Sequence, residues 1–292
     1  MKKKDAPISV RAGSLEFLKI NAATRDWRDA YHWILSLSWP RFTGVVFGCF
    51  LLLNVIFAIA YSLRAGCIAE LPPGSFADAL FFSVETLATV GYGHMYPVTL
   101  YGHAVTTIEI VVGMFWLAVM TGLIFVRFSR PTARLVFSKT AVIARFDGRP
   151  TLMLRVANLR HQAMVEAEFR LMLLLNQPVL EGDYVRRFYP LKLNFDRLIM
   201  FPAALTLRHV IDEQSPLHGM TVADFERSDA RLMTSVVCVD SVIQAPVQSQ
   251  HDYGWREIHF GKRFVEMYTE VDDGRLTVDY ALLHEMELEP AN

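Results

Sequence analysis

Charge is scarce in this chain. Aspartate, glutamate, lysine and arginine make up 20% of 292 residues, short of the ~25% of an ordinary soluble domain. With 52% apolar residues, a disordered chain is excluded, because disorder needs low hydrophobicity and high net charge. The same shortfall argues against a single soluble globule. Neither sign dominates: 29 basic against 30 acidic residues leave no basic field, so no nucleic-acid partner is expected. Cysteine is nearly absent. Cys49, Cys67 and Cys238 are too few and too scattered for a disulfide framework or a zinc site. HExxH, P-loop and G-x-S-x-G patterns are missing, and His284-Glu285 has no second histidine at ligand spacing. No enzyme is expected from motifs of this kind.

What is present is concentrated hydrophobicity. Phe42 to Leu63 is a run of 22 residues without charge, and Ala104 to Val126 is a run of 23 whose one charge is Glu109. As helices each covers about 33 Å, enough to cross a ~30 Å hydrocarbon core. Past Arg130 no uncharged stretch approaches that length. Three regions follow: 1–41, a membrane region over 42–129 with spans at about 42–63 and 104–126, and a soluble domain over 130–292. Lysine and arginine crowd residues 1–41 and 127–149, whereas Arg64 stands alone between the spans. By the positive-inside rule both termini are cytoplasmic and 64–103 faces out. MKKK precedes no apolar core, so it is not read as a secretory signal.

Asp26–Trp39 places Trp27, Tyr31, Ile34 and Leu35 on one helical face, with Trp33 and Trp39 nearby. This predicts a short helix at the inner membrane surface, ending at Pro40; a plain linker is the alternative.

Between the spans, Leu71-Pro-Pro-Gly74 reads as a turn and Ser75–Ala88 as a helix, with Ser75 as N-cap and Asp78 three residues on. At about 21 Å it cannot span, and it is too apolar for water, so it is expected to re-enter the membrane within protein. It runs into Thr89-Val90-Gly91-Tyr92-Gly93, the potassium-channel filter sequence. Gly91 and Gly93 admit backbone conformations closed to other residues. The carbonyls of Thr89, Val90, Gly91 and Tyr92, with the Thr89 hydroxyl, would replace the water around K⁺. Pore helix and filter together occupy 75–93.

Beyond the filter, Leu37-Ser-Trp-Pro40, Phe81–Gly93, Arg127-Phe-Ser-Arg-Pro131 and His209–Leu217 together resemble the prokaryotic inward-rectifier potassium channels, from about residue 25 to about 285. The resemblance implies an α+β membrane protein: two transmembrane helices with a re-entrant pore helix, then a cytoplasmic immunoglobulin-like β-sandwich, assembled as a C4 homotetramer. It implies a bacterial inner membrane, passive K⁺ conduction and no cofactor, with Ba²⁺, Mg²⁺ and polyamines as blockers. Residue by residue, it makes Gly113 a hinge and Leu117, Thr121 and Phe125 a pore-facing stripe with a gate at Phe125. Ordinary helix packing would use the same stripe. Glu85 and Glu109 fall behind the filter, and Arg127, Arg130 and Arg134 at phospholipid headgroup level, where a plain positive-inside anchor is the alternative.

The soluble domain carries strand signals of its own. Asp147-Gly148 and Asp273-Gly274 suit hairpin turns, Glu166–Leu173 alternates, and Val236-Val237 and Val242-Ile243 are β-branched. There are three departures from the family pattern. His94 follows the filter where an aspartate is usual. Met95 stands where a basic partner for Glu85 is found in animal members. The loop around Cys238–Pro246 aligns with a family loop that narrows the cytoplasmic entrance, with Cys238 where the family has glycine and Gln244 where a small alanine is usual. Leu117 replaces the acidic residue of strong rectifiers, so rectification should be weak. A membrane sensor that has lost conduction is the competing function.

Overall fold

The computed structural model describes residues 8–12, 15–19, 30–180, 182–271 and 274–290. The chain divides into two units, Ala23–Arg130 and a second made of Met1–Ala22 with Pro131–Asn292.

The first unit is helical: α1 (Ala30–Ser36), α2 (Trp39–Ser62), α3 (Phe76–Leu87) and α4 (Leu100–Phe128). Helices α2 and α4 are long and apolar enough to cross a membrane. Helix α4 outruns its apolar run at both ends and α2 at its N-terminal end, since backbone hydrogen bonding continues past the apolar edge. Pro40 does not end the interfacial helix, as expected above; α1 stops at Ser36 and Pro40 sits in the first turn of α2. Proline fits there because a first-turn N–H has no helical partner to lose. Trp27 lies outside the described residues. The Ser75 hydroxyl accepts from Asp78 N and caps α3, and the Thr99 hydroxyl accepts from Gly102 N and caps α4. Helix α3 packs on α2 through Phe57, Ala58, Tyr61, Ala79 and Phe82.

The second unit is β-rich. A hairpin that the sequence reading did not anticipate pairs β1 (Ile8–Ala12) with β2 (Leu15–Lys19). Next come β3 (Leu135–Phe137), β4 (Ala141–Phe146), β5 (Arg149–Asn158), β6 (Met164–Pro178), β7 (Tyr184–Leu191), β8 (Arg197–Phe201) and β9 (Ala204–Val210). A short helix α5 (Val222–Arg227) precedes β10 (Arg231–Asp240), β11 (Ala245–Gly254) and β12 (Ile258–Phe260). Three short strands and one more close the chain: β13 (Lys262–Phe264), β14 (Tyr268–Glu270), β15 (Leu276–Val278) and β16 (Met286–Leu288).

Two five-stranded sheets form a sandwich, one ordered β11-β10-β6-β7 with β8 also on β6, the other β12-β4-β5-β3 with β9 also on β5. Alternation drives this. In β6, Ala167, Phe169, Leu171 and Leu173 are buried while Arg170 and Met172 face out. In β10, Leu232, Thr234, Val236 and Cys238 face the shared core. Asp147-Gly148 makes the two-residue β4–β5 turn with φ of +52° and +72°, the signs of a type I′ hairpin. Asp273 lies outside the described residues. Val242-Ile243 is not strand: both residues sit exposed in the turn between β10 and β11. There Asp240 Oδ1 accepts from Val242 N (2.9 Å) and Ile243 N (3.1 Å), which bends the backbone away from the ladder. His209 is buried and structural, its two ring nitrogens 2.8 Å from Lys192 O and Ser215 Oγ.

Candidate functional site

Helix α3 ends at Leu87, and its last turn is reused by the segment that follows. Thr89 N donates to Thr86 O (3.0 Å), and Val90 N (2.8 Å) and Gly91 N (3.2 Å) both donate to Glu85 O. The chain therefore leaves the helix folded back on its C-terminal end, the partially negative pole of the helix dipole. From here φ alternates in sign: Thr89 +59°, Gly91 +56° and Gly93 +86°, with Val90 and Tyr92 on the ordinary side. Such alternation turns successive peptide groups the same way, amides to one side and carbonyls to the other. Among the described residues, no hydrogen bond ends on the carbonyls of Thr89, Val90, Gly91 or Tyr92. Thr89 pays for its left-handed backbone with strain of about 1–3 kcal/mol, and such strain gathers at functional sites.

Behind this segment lies a polar cluster that sequence reasoning found only in part. Glu109 is fully buried. Its Oε2 accepts from Tyr61 Oη (2.5 Å), and its Oε1 accepts from Ser83 Oγ on α3 (2.5 Å). Ser83 Oγ also lies 3.1 Å from Asn54 Oδ1, whose Nδ2 donates to Phe50 O, and Tyr61 Oη lies 3.1 Å from Thr106 Oγ1. Glu109 thus touches α3 through Ser83. The signal for Asn54 was available: a lone amide in an apolar span needs a partner at the same depth.

Glu85 is not left alone by Met95. His94 Nδ1 lies 3.9 Å from Glu85 Oε2, so the residue after the Thr89–Gly93 segment stands beside the carboxylate that has Met95 in place of the family's basic partner. Gly113 has a packing reason of its own. Helix α4 runs unbroken through it, and a Cβ there would lie 2.6 Å from Leu87 O at the end of α3.

Leu117 and Phe125 are 60% and 70% exposed, and Thr121 is exposed with them. Met120 and Leu123, on the other side of α4, pack against Leu35 and Phe42. The stripe therefore faces away from the chain's own packing. Arg127 is partly spent within the chain: its guanidinium donates to Ile34 O (3.2 Å) and Leu37 O (2.9 Å) at the end of α1 and stacks on Trp39 and Phe42. Arg130 donates to Leu35 O (3.2 Å). These bonds satisfy carbonyls that a helix C-terminus leaves open. Arg134, in the other unit, is exposed. Among the described residues no three of His, Cys, Asp and Glu gather as a metal site.

Comparison with known proteins matches residues 135–290 to the inward rectifier potassium channel C-terminal domain and residues 42–130 to an ion channel domain. The inward rectifier potassium channel Kirbac3.1 of Paramagnetospirillum magnetotacticum is 38% identical over 275 residues, covering 94% of this chain and 93% of that protein. The G protein-activated inward rectifier potassium channel 3 of Homo sapiens, and that of Mus musculus, is 34% identical over 232 residues, 75% of this chain and 57% of those longer proteins.

Proposed function

The chain belongs to the inward-rectifier potassium channel family, and from that premise we propose that four copies conduct K⁺ passively through the Thr89–Gly93 segment. The observation that carries this reading is the set of unpartnered carbonyls from Thr89 to Tyr92 on a backbone of alternating φ. Four such ladders around one axis replace the hydration shell of K⁺, and adjacent sites let one ion displace the next. The C-terminal end of α3 adds a cation-favouring potential at the cavity below. Glu109, through Ser83, fastens the pore helix to the spans and so fixes the ladder's position.

Leu117, Thr121 and Phe125 line the inner pore in this reading, and four Phe125 rings form an apolar constriction that closes by dewetting. With Leu117 in place of a carboxylate, the cavity holds Mg²⁺ and polyamines weakly, and rectification is shallow. Arg130 and Arg134, with what Arg127 has left, meet anionic phospholipid headgroups, each basic residue worth about 1 kcal/mol near such a surface. The protein sits in a bacterial inner membrane with both termini in the cytoplasm.

The test is ⁸⁶Rb⁺ uptake into proteoliposomes loaded with K⁺. Uptake that Ba²⁺ abolishes is the expected result. Well-folded tetramers with no uptake in any lipid would overturn the reading in favour of a non-conducting sensor.

A further inference from the structure

At the inner end of the helical unit, helix α1 stops where its own chain cannot carry it on. It ends at Ser36, Ser38 is extended (φ −64°, ψ 158°), and α2 begins at Trp39 with Pro40 in its first turn. Proline has no N–H, so the donor that would close on Ser36 O in a continued helix is missing. The last carbonyls of α1 must find donors elsewhere. Ser36 Oγ donates to Trp33 O at 2.7 Å.

The other donors stand 90 to 95 positions along the chain, at the end of α4. Arg127 Nη1 donates to Ile34 O (3.2 Å), Arg127 Nη2 to Leu37 O (2.9 Å) and Arg130 Nη1 to Leu35 O (3.2 Å). The Arg127 guanidinium also lies 4.7 Å from the Trp39 ring centre and 4.3 Å from that of Phe42. Trp39 in turn packs on Phe128, with ring centres 5.0 Å apart. The Arg127 Nε is buried and unbonded, out of reach of a lipid oxygen. Cations suit the C-terminal end of a helix, but charge alone would not build this arrangement. A fork that spans two carbonyls and a flat face that stacks on rings belong to guanidinium, whereas a lysine ammonium is a point charge. Both Nη groups of Arg127 are turned on backbone, not on the headgroup layer.

Position on α4 decides what this contact does. Phe125 precedes Arg127 by two residues, about 200° around the helix and ~3 Å along it. Met120 and Leu123, on the side of Arg127, pack with Leu35 and Phe42, while Phe125 points away and is exposed. Helix α1 therefore holds α4 from the side opposite Phe125.

We propose that Arg127 is a positioning residue for the inner constriction rather than a lipid ligand: with Arg130 it clasps α1 to the inner end of α4, and so holds the four Phe125 rings apart. The proposal rests on the reading of Phe125 as lining the inner pore. Apolar rings around a narrow aqueous axis attract one another, and α1 opposes that attraction from behind each α4. Released from α1, the inner ends lean together and the constriction dewets.

The test uses the full-length channel in vesicles with a graded fraction of phosphatidylglycerol. One readout is ⁸⁶Rb⁺ uptake. The other is the mobility of a spin label at Tyr31→Cys, an exposed position on α1, with the exposed Cys49 changed to serine. Arg127→Lys keeps the charge and loses the fork. The expected result is a label that becomes more mobile and an uptake that falls about fivefold at every lipid fraction, with the midpoint of the lipid dependence unmoved. Trp39→Leu removes one stacking ring without changing charge and should move both readouts the same way. An Arg127→Lys protein that matches the unmodified one in both readouts overturns the proposal. So does an Arg127→Gln protein in which the lipid midpoint moves and the label does not, which would make Arg127 a lipid ligand. A freed α1 with unchanged uptake overturns the hold of Arg127 on the constriction. Absence of uptake in the unmodified channel overturns the conduction reading instead, and the label then still decides whether Arg127 holds α1.

Discussion

The two units treat polarity in opposite ways. In the helical unit the buried carboxylate Glu109 is satisfied by neutral hydroxyls of Ser83 and Tyr61, while Phe47, Leu52, Ile108 and Phe115 lie exposed. In the β-rich unit the buried Asp240 takes two backbone amides and Arg160 Nε at 3.1 Å, and the apolar side chains of β6 and β10 turn inward. The helical unit is therefore incomplete as one copy. In the tetramer proposed above, lipid covers its outer face, while Leu117, Thr121, Phe125 and the carbonyls of Thr89 to Tyr92 face the ion pathway. The β-rich unit closes its own core.

The sharpest way to probe this contrast is to place in the helical unit the kind of charge it avoids. Leu117→Asp adds one carboxylate per chain to a confined, low-dielectric cavity, where charges act far more strongly than in water. Spermine block, read from current–voltage curves in symmetric K⁺, should be shallow in the unmodified channel and deepen at least a hundredfold in the variant. Steep block in the unmodified protein, or no change in the variant, would show that Leu117 does not face the pathway.

Next in size is the close approach of the two helices at Gly113. Gly113→Ala sets a Cβ 2.6 Å from Leu87 O, a backbone atom that yields only if α3 moves. Overpacking of this kind costs about 1–3 kcal/mol. The expected outcome is a tetramer that unfolds at lower temperature and conducts less. Gly122→Ala, where a Cβ meets nothing within 4 Å, should be tolerated. Equal tolerance at both positions would remove the packing account of Gly113 and leave the hinge.

The β-rich unit offers a counterpart in Asp240. The amides of Ile243 and Val242 hold its carboxyl below the usual range, with help from Arg160. Its folded value is depressed, so its stabilisation is present above the unfolded value near ~4 and is lost as pH falls through the folded one. Asp240→Asn should lower the unfolding temperature at neutral pH, and the gap from the unmodified protein should narrow below about pH 4. A gap that stays constant with pH would mean that the charge is not what holds the β10–β11 turn.

The smallest expected effect is at the outer mouth. His94→Asp places an anion where the imidazole now stands 3.9 Å from Glu85. A ring of carboxylates raises the local K⁺ concentration, so single-channel conductance should rise about twofold. An unchanged conductance would separate His94 from the ion's path.

What could be read from sequence follows the range of the interactions involved. The two long apolar helices were legible because burial in lipid demands about 20 consecutive apolar residues, and the unusual backbone of Thr89–Gly93 because its glycines admit positive φ. The Asp147-Gly148 turn was legible because positive φ is a local demand. Val242-Ile243 misled because β-branching is only a propensity, and Asp240 overrode it by capturing the local amides. Pro40 misled because proline both ends helices and begins them. The meeting of Glu109, Ser83 and Asn54 was out of reach, because they lie 26 to 55 positions apart and only packing brings them together.

The account stands on the carbonyl ladder of Thr89 to Gly93. Its most direct test is the reversal potential under bi-ionic conditions, K⁺ on one side and Na⁺ on the other, for the unmodified channel and for Gly91→Ala. Gly91 sits at φ +56°, where a Cβ strains the backbone whatever space surrounds it. The account predicts a strongly K⁺-selective potential in the unmodified channel, and loss of selective current in a Gly91→Ala protein that still assembles as a tetramer. Equal permeability to K⁺ and Na⁺ in the unmodified channel, or undiminished selectivity in Gly91→Ala, would contradict it.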